Sequence, residues 1–323
     1  MTDAGWAFFL AVAVSLAIGP KTIELLTRLK LRQTISEDAP KRHQSKQGTP
    51  MMGGLIILIG AAVGTAAFWV PSPRLAVVVL LTLAFAALGF VDDALIASRG
   101  KSLGLKARQK LLIQFLLAIG FMLWVHGNRS VYPTGLLLWG EHMIDLGWAY
   151  YPLAVLMIVG MSNAFNLADG LDGLVSGLTA IVALTLGAIL MQSTGAGLGT
   201  VSWALAGGCV GFLWFNCNPA KVFMGDTGSL ALGAATAGIA IAARLEFFYL
   251  VISLIFLVEA FSVMLQVASF KTTGKRIFKM TPIHHHFELS GWPEQKIVVR
   301  FWVVQGLISL AVLGWIGMFK VWR

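Results

Sequence analysis

The chain has 323 residues, of which 57% are hydrophobic and 12% charged, with a mean hydropathy of +0.80. This balance excludes an ordinary soluble domain and is the profile of an all-α, polytopic integral membrane protein. The net charge of +9 suits anionic headgroups and phosphorylated ligands; no nucleic-acid partner is expected, because no basic, aromatic-interleaved soluble domain is present to carry one.

Apolar stretches near the ~20-residue spanning length recur throughout. In chain order they predict ten transmembrane helices, at about 6–27, 51–70, 75–92, 108–126, 149–166, 171–191, 198–217, 228–243, 246–269 and 298–319. Residues 1–323 read as one transmembrane domain. MTDAGW has no basic leader and no cleavage signature, so the first stretch is expected to be a retained span. Cys209 and Cys217 are predicted on one helix, roughly 12 Å apart along its axis, too far for a disulfide.

Loop charge sets the expected orientation. Arg28, Lys30, Arg32, Lys41, Arg42 and Lys46 occupy one loop, and Arg99, Lys101, Lys106, Arg108 and Lys110 another. Lys221 follows the seventh span, and Lys271, Lys275, Arg276, Lys279, Lys296 and Arg300 fill the 270–300 segment. These eighteen of the 24 basic residues fall on one side, which is therefore expected to be cytoplasmic, with both termini outside. The outer connection 127–148 reads as a small hairpin, with LLLW and MIDL flanking Gly140-Glu141-His142. The 270–297 segment reads as an amphipathic surface element followed by a structured loop.

Five aspartates then stand out, because carboxylates next to hydrocarbon normally face a partner, a wet cavity or a metal. Asp92-Asp93 ends one apolar run, Asp169 and Asp172 close another, and Asp226 follows a third. In the expected topology all five lie on the cytoplasmic side, as do His284, His285 and His286, which points to one shared polar site. Negative charge at a helix C-terminus opposes the helix dipole, so capping explains Asp92-Asp93 poorly. The two side chains diverge by about 100°, so one could reach a reacting phosphate while the other orients a lysine or a metal-bound water. Asn166, Asp169 and Asp172, spaced by three in NLADGLDGL, form either a polar helical stripe or a glycine-rich turn. Asp226 precedes an apolar helix and is either its N-cap or a Mg²⁺ ligand bridging to phosphates. Oxygen-only ligands favour a hard cation over zinc.

Lys46–Gly54 forms a basic, Gly-Pro-rich loop before a span. Gly100-Lys101-Ser102 lacks the earlier glycine and the strand of a phosphate loop. The three consecutive imidazoles diverge, which disfavours one zinc ion and leaves contact with a diphosphate or sugar, or stabilisation of the loop over the site. Glu259, the one acid deep in a span, reads as a buried structural or lipid-groove acid, the alternative being a transporter's coupling group.

GTPMMGG, GFVDD, NLADGLDGL, FNCNPAKVFMGDTGSLALG and PIHHHFELSGW together resemble the bacterial phospho-N-acetylmuramoyl-pentapeptide transferases, within the polyprenyl-phosphate N-acetylhexosamine-1-phosphate transferase superfamily. The resemblance covers nearly the whole chain. It implies Mg²⁺-dependent transfer of phospho-MurNAc-pentapeptide from UDP-MurNAc-pentapeptide to undecaprenyl phosphate, giving lipid I and UMP for peptidoglycan synthesis at the bacterial inner membrane. Asp92, Asp93, Asp226 and His284 then match catalytic positions, with Asp226 the metal ligand. Asn166, Asp169, Gly170, Leu171, Asp172, Asn216 and Phe223 match the uridine-diphosphate site, Phe223 as the platform for uracil. Thr49 falls in a nearby cytoplasmic loop, and His285 and His286 join the substrate-binding set. Membrane lipids are implied surroundings, and a homodimer stays open. The chain departs from the family where Ala94-Leu95-Ile96-Ala97 replaces an aromatic and basic run, and where Met51 and Ala168 replace threonines. A family lysine is thereby absent, and Lys101, Lys106, Arg108 or Lys110 could substitute. The alternative within the superfamily is a GlcNAc-1-phosphate transferase, against which PIHHHFE argues.

Overall fold

A computed structural model describes residues 3–29, 31, 48–99, 104–128, 134–139, 142–191 and 196–319. Lys30, Arg32, Lys41, Arg42, Lys46, Gly100-Lys101-Ser102, Gly140 and Glu141 lie outside them. The chain is an all-α membrane protein with one small hairpin. Its helices are α1 (Asp3–Arg28), α2 (Gly54–Ala67), α3 (Pro73–Arg99), α4 (Ala107–Gly127), α5 (Tyr150–Ala168), α6 (Leu174–Leu190), α7 (Ala196–Asn216), α8 (Gly225–Ala243), α9 (Glu246–Ile252), α10 (Leu254–Thr273), α11 (Ile283–Leu289) and α12 (Glu294–Phe319). The strands β1 (Gly135–Trp139) and β2 (His142–Asp145) pair antiparallel where the hairpin was expected.

Among the described residues, eight helices are long and apolar enough to cross a bilayer, and α2 and α6 are shorter, with 14 and 17 residues. Four expected boundaries move. Helix α3 continues past Asp92 and Asp93 to Arg99, because ALIAS contains no breaker before Gly100. The expected 51–70 span shrinks to α2, since residues 51–53 stay outside the helix and the 50–54 stretch bonds with 223–224. Pro50 accepts the Phe223 N–H at 2.8 Å, and Gly53 and Gly54 donate to Phe223 and Met224 at 2.8 and 2.9 Å. Met52 is held there at φ 69°, in the left-handed region that side chains disfavour. The expected 246–269 span is broken into α9 and α10 at Ser253. The carbonyl of Ile252, freed by the break, accepts the Gln305 amide from α12. The histidines lie on the short helix α11 rather than in a loop.

Helix α8 is the axis of the bundle. Every residue from Thr227 to Ala242 is buried, against α2, α3, α5, α6, α7 and α9. Its sequence, GDTGSLALGAATAGIAIAA, is apolar all round and rich in small residues, which lets neighbouring backbones approach closely in a bilayer. A Cβ at Gly233 would come within 2.6 Å of the Met161 carbonyl on α5. Ser162 on α5 adds a hydrogen bond to the Leu230 carbonyl at 3.1 Å. Such bonds each contribute only about 0.6 kcal/mol in a membrane, so close packing dominates here. Helix α10 is the opposite case, exposed along most of its length, with Phe261, Met264, Leu265 and Phe270 all presented outward.

Candidate active site

The first turn of α8 is where the polar chemistry gathers. Asp226 lies inside that turn rather than before it, so it is not the N-cap. The capping acceptor comes from a different helix: Asp93 on α3 accepts the N–H of Asp226 at 3.0 Å, the N–H of Thr227 at 3.0 Å and the Thr227 hydroxyl at 2.6 Å. A carboxylate there satisfies orphan amides and meets the positive end of the helix dipole. Gly225 permits the approach. It sits at φ 73°, and a Cβ on it would stand 2.6 Å from Asp93 Oδ2.

Asp93, fully buried, therefore faces α8, while Asp92 faces α4, as the 100° divergence requires. Asp92 Oδ1 accepts the Leu105 N–H at 2.7 Å, and its Oδ2 lies 3.7 Å from Lys110 Nζ. Lys110 is also paired with Asp226 Oδ2. Of the four basic residues that could replace the family lysine, the structure places Lys110 between the two carboxylates. Lys106 and Arg108 are exposed, and Lys101 lies outside the described residues. The other oxygen of Asp226 accepts the Asn166 amide at 2.6 Å, and Asn166 also donates to Ser229 at 3.0 Å.

Residues 169–173 form the turn between α5 and α6, so the turn alternative for NLADGLDGL holds and the continuous stripe does not. The Asp169 carboxylate accepts the Gly225 N–H. Burial of that carboxyl, then the negative charges of Asp226 and Asp93, push its pKa up to about 7. Four carboxylates thus gather at the first turn of α8, two of them paired with Lys110.

Asp172 and Asn216 lie beside this cluster and brace the loop between α7 and α8. Asp172 Oδ2 accepts from Asn218 and from the Ala220 N–H, each at 3.0 Å, and its own N–H donates to Glu294 at 2.6 Å. Asn216, buried, accepts from the Gly173 N–H and the Ser176 hydroxyl and donates to the Val222 carbonyl. That loop sets Phe223, half-buried, beside Pro50, with the part-exposed Thr49 next to it. The Leu171 side chain is buried, which leaves only its backbone for a ligand.

The three imidazoles do diverge. His284, fully buried, pairs through Nδ1 with Glu259 on α10 at 3.0 Å. His285 meets Glu288 at 2.7 Å, and His286 accepts the Lys279 N–H at 3.1 Å. His284 Nε2, without a hydrogen-bond partner among the described residues, is aimed at Gly170, where any side chain would collide with it. Through that turn His284 adjoins the aspartate cluster, whereas His286 points away. Glu259, the deep acid, is accounted for by its histidine.

Two contributors gave no sequence signal: Gln114, which accepts the Asn163 amide at 2.6 Å, and Thr227. Glu294 and Asn218 were also missed, and a charged pair at a helix start and an Asn-Pro loop could have flagged them. Among the described residues, no group of three or more His, Cys, Asp or Glu side chains could hold a metal alone. The donor chemistry nevertheless fits Mg²⁺, which is usually held by one or two carboxylates together with waters and substrate phosphates. Asp226 and Asp92, flanking Lys110, are such a pair.

A sequence profile of Glycosyl transferase family 4 matches residues 75–244, the stretch holding both the Asp pair and Asp226. A phospho-N-acetylmuramoyl-pentapeptide-transferase of Heliobacterium modesticaldum is 49% identical over 96% of each chain. The chain belongs to this transferase family. Relatives of the same name from Moorella thermoacetica and Pelotomaculum thermopropionicum are 48% and 45% identical, covering 97% and 98% of this chain and 98% of each of theirs.

Proposed function

We infer that the chain transfers phospho-MurNAc-pentapeptide from UDP-MurNAc-pentapeptide to undecaprenyl phosphate, forming lipid I and UMP in peptidoglycan synthesis. The observation that carries this reading is the gathering of Asp92, Asp93, Asp169 and Asp226 at the first turn of α8, with Lys110 between Asp92 and Asp226, in a chain whose relatives bear that activity in their name. A phosphate oxygen of the acceptor attacks the sugar-side phosphorus of the donor. One P–O bond forms, the P–O bond to UMP breaks, and UMP leaves with the electron pair. Two anions must meet, so positioning and charge neutralisation govern the rate.

The side chains divide that work. Asp92, not tied to the α8 backbone, takes the acceptor's proton. Asp93 holds the first turn of α8 in place and so positions Asp226. Lys110 neutralises charge on the diphosphate, and Asn166 fixes the carboxylate of Asp226. Phe223, Thr49 and the 169–172 turn receive the uridine end, and His284 with His285 contacts the diphosphate or sugar. Asp226, with waters and substrate phosphates, would hold Mg²⁺, which when bound neutralises the charge developing on the leaving group. All these groups come from one chain, so a homodimer would need no shared site. The basic loops support a centre on the cytoplasmic face of the bacterial inner membrane, where a nucleotide donor is found.

The test is UMP release by the purified protein given both substrates and Mg²⁺. Release is expected with the muramoyl donor and not with UDP-GlcNAc. Equal use of UDP-GlcNAc would replace this reading with that of the sister transferase. Orientation is checked by labelling from outside, which is expected to modify a cysteine at Glu141 but not one at Lys275.

A further inference from the structure

Between Glu259 and Glu288 the chain contains no acidic residue but four cations, Lys271, Lys275, Arg276 and Lys279. Three of them line a cavity of about 750 Å³, together with Val267, Phe270 and Met280. The cavity forms because the chain doubles back after α10. Gly274 takes φ 69°, and Gln266 then anchors the return, accepting the N–H groups of Ile277 and Phe278 and donating to the Phe278 carbonyl. Lys279 is oriented by a bond from Nζ to the Leu289 carbonyl at 3.2 Å.

The cavity's place in the molecule points to its ligand. Helix α10 is a 20-residue apolar span whose last apolar residue, Phe270, is followed directly by Lys271. Val267 and Phe270 are about half exposed, as is the neighbouring Leu265, and Met264 is more so. An apolar helix exposed over its last turns and ending in cations sets the cavity where hydrocarbon gives way to headgroups. The cavity also faces away from the reaction centre. On α11, Leu289, which lines it, stands roughly 140° around the helix from His284.

We propose that this cavity is a binding site for one anionic phospholipid, its phosphate held by Lys271, Arg276 and Lys279 and its upper acyl chains lying along Val267 and Phe270. A zwitterionic lipid would bring a cation into a site already carrying three. A soluble anion would leave the apolar wall unused.

The test uses the full chain in detergent, titrated with dioleoyl-phosphatidylglycerol and followed by native mass spectrometry. One bound phosphatidylglycerol is expected. Each surface cation near a bilayer is worth about a fivefold change in affinity, so Lys271→Gln with Arg276→Gln is expected to weaken binding about twenty-five-fold. Both residues are exposed, so the fold is expected to persist, with UMP release from saturating substrates retained. A second variant, Met280→Trp, fills the cavity without touching a charge and is expected to weaken binding as well. Equal binding by the double variant, or equal binding of dioleoyl-phosphatidylcholine, would overturn the proposal. Displacement of the lipid by inorganic phosphate would assign the cavity to a free anion, and displacement by UDP-MurNAc-pentapeptide to the nucleotide donor. Either result also overturns it.

Discussion

The two ends of helix α8 handle buried charge in opposite ways. At its far end one carboxylate, Glu246, meets one guanidinium, Arg244, at 3.9 Å, and the Tyr150 hydroxyl donates to Glu246 at 2.6 Å. Arg244 also reaches the Gly135 carbonyl, which ties the β-hairpin to the helix. Charge is balanced there, and the group works as a clasp. At the near end four carboxylates, Asp92, Asp93, Asp169 and Asp226, gather around the first turn of α8, and the one lysine there, Lys110, pairs with only two of them, Asp92 and Asp226. A site built for stability alone would not leave several carboxylates facing one cation in a membrane protein, because each uncompensated charge costs several kcal/mol. The contrast separates a polar knot that holds the fold from the centre assigned above to the reaction.

The sharpest way to break the comparison is to remove Asp226. Asp226→Ala is expected to lower UMP release by about 10³-fold or more while the protein still inserts and purifies as the wild type does. Substantial turnover at saturating Mg²⁺ would contradict its role. Lys110→Met is expected to cost about 10²-fold, with part of the rate restored in Lys110→Arg, which keeps the charge but not the shape.

His284→Ala should affect both rate and stability, because it leaves Glu259 buried without its partner. A loss of about 3 kcal/mol is expected from thermal or denaturant unfolding. Adding Glu259→Gln is expected to recover much of that stability but not the rate. Recovery of both would make the pair purely structural. The smallest effect on turnover belongs to the far end: Tyr150→Phe is expected to cost about 1 kcal/mol of stability and leave UMP release within about twofold.

How much of this was legible in the sequence depended on the range of the interaction. The apolar runs gave the helices, because spanning length and hydropathy are local properties. The aspartates were visible because a carboxylate beside an apolar run is conspicuous wherever the chain later takes it. The break at Ser253 was not visible, since the Gln305 side chain that satisfies the freed carbonyl lies more than fifty positions away. Asp93 was read as a helix end and proved to be the cap of another helix, 133 residues on. Lys110 stood as one of four candidates until α4 was placed against α3 and α8. Local pattern thus singled out the aspartates and histidines, while their partners depended on contacts between helices.

The most direct test of the charge contrast is the thermal midpoint of the purified protein with EDTA and then with Mg²⁺. A cation that binds the native state at ~100 times its dissociation constant adds about 2.7 kcal/mol to stability. A clear rise is expected for the wild type and for Glu246→Gln, and none for Asp226→Ala. A rise in Asp226→Ala equal to that of the wild type would contradict the account, because the metal would then be held elsewhere and the carboxylates around Lys110 would lack the partner assigned to them.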